Sequence, residues 1–355
     1  MISKRFHSMD CLKGIFIFFA MFEHYTYYFN VWDQFYTTHP NENAIAMPMS
    51  WGLYFMGYTL IPWVSHSFLF IACFNIGRNF KSSGIPKTNM WPIYFLVATI
   101  EGLLISDDWR DILSDAFSLQ PLQTWVIVFV MIALVARSFG VKGIVVFLAG
   151  YLVLLKPFLV PMGDHIDAYF ASFPAIKYFE YNPRIEYFLG TACVAFLLGD
   201  YLSTVNRQRL VVAIAVGCGI IIPWAFVGSV SQMDWNNSLT YEYAFSRSVV
   251  DLMFIWGINI AVLCTALLLE SYNLFPKSKI LGWCGQSVLI IYLVHRLFFI
   301  HVYGPWREKM IHVLNWPKQN NVFEVFIPSV LSVLIAFLLL QIFKRYKVYR
   351  ANSTA

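Results

Sequence analysis

Apolar residues run along almost the whole chain in blocks of about 20, the length a bilayer-crossing helix needs at about 1.5 Å per residue. Ten stretches meet that requirement, at roughly 11–30, 51–77, 90–106, 120–138, 141–160, 186–204, 209–229, 247–270, 280–303 and 323–343. The second is the longest and reaches ~40 Å, which suits one tilted or kinked crossing and falls short of two. Pro62 and the triplet Ser65-His66-Ser67 lie inside it. The pattern predicts an all-α, polytopic membrane protein of about ten transmembrane helices, organised as a single integral-membrane domain over residues 1–355. The longest connections, 31–50, 161–185, 230–246 and 304–322, fall on one side and are rich in Tyr, Trp and Phe. Such rings form an interfacial belt, or they stack on a sugar at the outer mouth. No connection is long enough for a soluble catalytic domain, so any chemistry is placed inside the helix bundle. Neither an internal repeat nor a low-complexity tract is evident.

Composition agrees with the pattern. Hydrophobic residues make up 59% of the 355 and charged residues only 13%, where soluble domains carry about 45–50% and about 25%. Aromatics reach 18%, with 33 Phe. Too few charges are present to cover this much apolar surface in water, and a chain so apolar collapses rather than staying disordered. The net charge of +5 is spread between apolar blocks, which argues against nucleic acid as a partner. Each of the six cysteines lies in or at the end of an apolar segment and none forms a Cys-x-x-Cys pair. They are expected as free thiols, and no metal site is implied.

Basic residues orient the chain. With the N-terminus inside, fifteen Lys and Arg fall at cytoplasmic helix ends and eight outside; Lys13 and Arg296, within the membrane, complete the 25. By the positive-inside rule both termini are cytoplasmic. The start, Met-Ile-Ser-Lys-Arg followed by apolar residues, mimics a signal peptide, but Glu23 and His24 stand where a small-x-small cleavage site belongs. It reads as an uncleaved first membrane helix.

Ionisable groups at membrane depth are expensive and count as functional candidates. Here they are Lys13, Glu23, His24, His66, Glu101, Asp251, His295, Arg296 and His301. Lys13 and His24 are the most informative pair. Eleven residues at about 100° each overshoot three turns by only about 20°, so both side chains share a helix face, about 16 Å apart along the axis. Asp10, one turn before Lys13, is placed to neutralise it. A transporter can use such a stripe as a proton relay. An acyltransferase can use Lys13 to hold an anionic donor and His24 to take a proton, a task suited to an imidazole. Other members of the set have plainer roles. His66 sits between two serines and suits hydrogen bonding within the bundle. Arg247 and Asp251 are four apart and positioned to pair. Glu101 needs an unnamed partner, Lys156 can snorkel, and His301 can reach interfacial water. His295 and Arg296 are neighbours and point about 100° apart, so at most one faces the cavity of His24.

Ser8-Met9-Asp10-Cys11-Leu12-Lys13-Gly14, with ten residues between Lys13 and His24, resembles the opening of the transmembrane acyltransferase superfamily. That group includes the acyltransferase-three family, the heparan N-acetyltransferase relatives and the TraX pilin-acetylase type. Leu281-Gly282-Trp283-Cys284-Gly285-Gln286-Ser287, continuing into Ile291-Tyr292-Leu293-Val294-His295, is similar to its late Gly-x-x-Ser…Tyr-Leu-x-His helix. Ser287 falls one place early, and Ala72-Cys73 replace the Ser-Gly of a third, Phe-rich motif ending at Gly77-Arg78; neither serine's role carries over. The resemblance implies transfer of an acyl group, most often acetyl, from cytoplasmic acyl-CoA as co-substrate. The acceptor would be a hydroxyl or amine of a glycan, a lipid-linked sugar or a protein at the outer face of a bacterial inner membrane. On that reading His24, Lys13, Glu23 and His295 form the catalytic set, and Lys13, Arg78 and Lys81 meet the donor, with Lys87 nearby. N-terminal acetylation of a pilin-like protein, and a transporter or flippase of glycans or small anions, are the alternative readings.

Overall fold

The computed structural model describes residues 6–28, 61–83, 92, 95, 96, 99, 100, 121–171, 185–204, 206–227, 249–314 and 322–353. Among these, helix accounts for nearly everything and no strand occurs. The predicted crossing at 90–106 is described only at scattered positions. Four helical stretches are long and apolar enough to cross a membrane among the described residues: Gln123–Leu154, Val249–Ser271, Val288–Arg307 and Phe326–Tyr346. Their outward sides are apolar, with Val146 and Val153 each 71% exposed and Ile342 and Phe343 each 62%. Apolar surface of that extent suits lipid rather than water.

The chain divides into two compact units, Met1–Met9 with Phe55–Lys277, and Asp10–Tyr54 with Ser278–Ala355. Helix α1, His7–Tyr28, begins in the first and continues in the second. The rest of the first unit contains α2 (Ile61–Ser83), α3 (Pro121–Leu154), α4 (Val160–Ala171), α5 (Ile185–Tyr201), α6 (Arg207–Val227) and α7 (Val249–Ser271). Glycines let these helices approach closely, as is usual where lipid supplies no hydrophobic drive for association. Gly77 of α2 lies against the Phe196 backbone of α5, and Gly199 of α5 against the Phe74 carbonyl of α2. Gly217 of α6 and Gly257 of α7 face one another in the same way. At the start of α1, the Glu270 carboxylate accepts from the His7 and Ser8 amides at 3.1 and 2.9 Å and from the Ser8 hydroxyl. It thereby satisfies amides that a helix start leaves unpaired, and puts negative charge at the positive end of the helix dipole.

The predicted crossings 120–138 and 141–160 correspond to the two helical segments of α3, which meet at a kink at Gly140 (φ 66°, ψ −161°). Only glycine adopts that backbone at little cost, so the break falls where the two apolar blocks were separated. The predicted outer loop 161–185 is corrected in its first half. A π turn over Leu155–Leu159 leads directly into α4, which runs to Ala171. Pro157 lacks the N–H for a normal α bond, which favours the wider turn, and Pro161 in the first turn of α4 needs no N–H partner.

In the second unit the predicted crossing 280–303 is also redrawn. It comprises α8 (Lys279–Gln286), a break at Ser287, α9 (Val288–Phe298) and a π turn over Phe299–Tyr303. The helix then continues as α10 (Gly304–Leu314), inside what was expected to be a loop. Ser278 caps α8 by accepting from the Leu281 amide at 3.2 Å, as a short polar N-cap does. The last helix, α11 (Val322–Ser353), outruns its apolar block by a polar C-terminal extension. Trp283 of α8 meets Phe337 of α11 edge-on at 5.3 Å.

Candidate functional site

The two sequence segments carrying the resemblance pack directly against each other in the second unit. Gly14 of α1 lies on the Leu281 backbone of α8, and Gly285 of α8 lies on the Asp10 carbonyl of α1. Two glycines on facing helices bring the backbones together and set the register of what lies on either side. The Cys11 thiol contacts the Ser278 carbonyl at 3.6 Å, a further tie at the same end.

At one end of this contact, Lys13 pairs with Asp10 at 2.9 Å, as the spacing predicted. The second Asp10 oxygen accepts from the Gln286 amide at 3.3 Å. Asp10 is 4% exposed, so its charge is held by an ammonium and an amide instead of water. Lys13 keeps 22% of its side chain accessible. An ammonium has three donors, and the one ion pair described for it leaves capacity for an anion.

At the other end, His24 Nδ1 lies 2.8 Å from His295 Nε2, with the rings nearly parallel at a centroid separation of 5.1 Å. Tyr292 meets both rings edge-on, at 5.8 Å from His24 and 5.2 Å from His295. His295 is fully buried, Phe299 closes its far side, and its Nδ1 lies 3.3 Å from the Ile291 carbonyl. Arg296 reaches the hydroxyl of Tyr292, the ring that meets both histidines, at 3.4 Å, and its charge acts on the pair from there. Of the two neighbours, His295 is therefore the one that meets His24. The Glu23 side chain lies outside the described residues, as do Glu101 and Arg247.

Arg78 and Lys81 belong to the first unit. Arg78 is buried, with its guanidinium 4.7 Å from the centre of the Phe6 ring. Lys81 is largely exposed and paired to Asp200 at 2.9 Å, an ion pair worth at most about 1 kcal/mol at such exposure. His66 is tied into the bundle. Its Nδ1 lies 2.9 Å from Thr191 Oγ1, which also accepts from the Trp256 indole at 3.0 Å, and the ring stacks on Phe188. Asp251 is buried and His301 exposed. All six cysteines are free.

Two partners were not singled out from sequence: Gln286 on Asp10, and Tyr292 against the histidine pair. Both lie within the late motif, beside Gly285 and three residues before His295, so their signal was present there. No protein-family model and no curated protein matches this chain.

Proposed function

We propose that this protein is a membrane acyltransferase that moves an acyl group, in the first instance acetyl, from cytoplasmic acyl-CoA to a hydroxyl or amine of a glycan at the outer face. What supports the reading is one observation: a histidine of the first helix is hydrogen-bonded to a histidine of the late helix, on the same helix face as a lysine with spare donors. Lys13 receives the anionic donor. His24 takes the proton from the acceptor hydroxyl as its oxygen bonds to the thioester carbonyl carbon. The carbon–sulfur bond then breaks, and the thiolate recovers a proton from His24. General-base catalysis of this kind is worth about 10²–10⁴ in rate. The protein would cross a bacterial inner membrane about ten times with both termini cytoplasmic.

Purified protein in nanodiscs, given acetyl-CoA and an oligosaccharide acceptor, is expected to bind the donor and release free CoA only when acceptor is present. Substrate flux across proteoliposomes with no CoA dependence would replace this reading with a transporter. The orientation has its own check. A single cysteine introduced within 161–185 should react with an impermeant maleimide from outside intact cells, whereas one within 78–88 should be protected. The reverse pattern would invert the topology.

A further inference from the structure

We infer that His295 is a positioning residue that sets the tautomer of His24, leaving Nε2 of His24 as the basic nitrogen. The inference deepens the proposed function and rests on it only for the identity of the base. It follows from donor and acceptor accounting. The Ile291 carbonyl, 3.3 Å from His295 Nδ1, can only accept. Nδ1 of His295 must therefore carry its hydrogen, and in the neutral ring Nε2 is then a lone pair. That lone pair faces His24 Nδ1 at 2.8 Å. A hydrogen bond of this length needs one donor, so His24 supplies it from Nδ1. Its own lone pair is thereby fixed on Nε2, the nitrogen turned away from His295.

The burial pattern fits this order. His295 is fully enclosed, by Tyr292 and Phe299 among others, while His24 retains partial access. The α9 backbone thus dictates the protonation of a side chain on α1 through two successive hydrogen bonds. When His24 Nε2 takes a proton, no bond in the chain needs to reverse, because Nδ1–H goes on donating to His295. The hydrogen bond strengthens as His24 becomes charged, so His295 stabilises the protonated base without itself taking the proton.

The test reads the tautomer directly. Protein with ¹⁵N-histidine in nanodiscs is examined by NMR at a pH where both rings are neutral, with His24 and His295 signals assigned by their loss in His24→Gln and His295→Gln. We expect His24 Nδ1 as an N–H and Nε2 as an imine nitrogen. In His295→Leu the His24 signals should move toward the opposite tautomer, with turnover falling toward the about 10²–10⁴-fold loss that follows when a general base is disabled. The donor KM should be unchanged. His295→Gln, whose amide oxygen can stand near the former Nε2, should restore both the tautomer and part of the rate. An Nε2–H tautomer of His24 in the wild-type protein, or no change on His295→Leu, overturns the inference. The stated tautomer in a protein with no acyl transfer would leave the wiring intact and defeat the proposed function instead.

Discussion

His24→Ala is expected, on the proposed function, to lower acyl transfer by about 10²–10⁴-fold, the usual cost of removing a general base, while affinity for the proposed donor stays within about twofold of wild type. The dissociation of the two effects follows from geometry. Lys13 and His24 are about 16 Å apart along the helix, so truncating the imidazole leaves the Asp10–Lys13 pair untouched. The variant leaves Nε2 of the buried His295 without its partner, a cost of about 1–3 kcal/mol, so turnover is compared only on protein shown to be folded. Lys13 substitutions should divide the other way. Lys13→Ala would weaken donor binding, and it would also strip the buried Asp10 carboxylate of its cation, so part of its effect would be instability. Lys13→Arg keeps the charge and separates the two causes, because it should retain most donor affinity and nearly normal stability. The measurements are turnover, CoA affinity and thermal unfolding on detergent-purified variants. Near-normal turnover in folded His24→Ala would remove His24 from its role.

The side-chain arrangement of the candidate site was more legible in the sequence than the helix boundaries were, for a physical reason. The co-facing of Lys13 and His24 depends only on helical periodicity, and the Asp10–Lys13 pair only on an i,i+3 spacing; both are local. The separation of about 100° between His295 and Arg296 let only one of them be expected at His24; His295 makes the direct contact, while Arg296 reaches Tyr292 against the same pair. The boundaries failed where hydropathy was blind to backbone interruptions. The block 280–303 was read as one apolar crossing, yet Ser287 divides it, and the short α8 sets Gly285 against α1. Likewise 161–171 is polar enough to resemble a loop, but helix persists there because a π turn absorbs Pro157 without ending the run. Partners across the bundle, such as Thr191 and Trp256 on His66, leave no trace in spacing along one helix.

Gly285→Ala is expected to disrupt the second unit at the contact on which the candidate site depends. A Cβ at this position would be driven into the Asp10 carbonyl and would lie 3.0 Å from the Gly14 amide nitrogen. Both obstacles are backbone, so no rotamer change relieves them; α1 and α8 must separate or slide. Overpacking of this kind costs about 1–3 kcal/mol, and more where the neighbour cannot yield. The movement would also carry Asp10 away from Gln286, whose hydrogen bond is already long at 3.3 Å, and so disturb the group that holds Lys13. Lower thermal stability and weaker donor binding should therefore appear together. Gly150→Ala is the matched control. Among the described residues nothing lies within 4 Å of where an alanine Cβ would stand on that helical glycine, so alanine there should be neutral or slightly stabilising through helix propensity. The decisive measurement is thermal unfolding of the two variants side by side in the same detergent. If Gly285→Ala unfolds at the temperature of Gly150→Ala and binds donor as well as wild type, the close approach of α1 and α8 is not what positions Lys13.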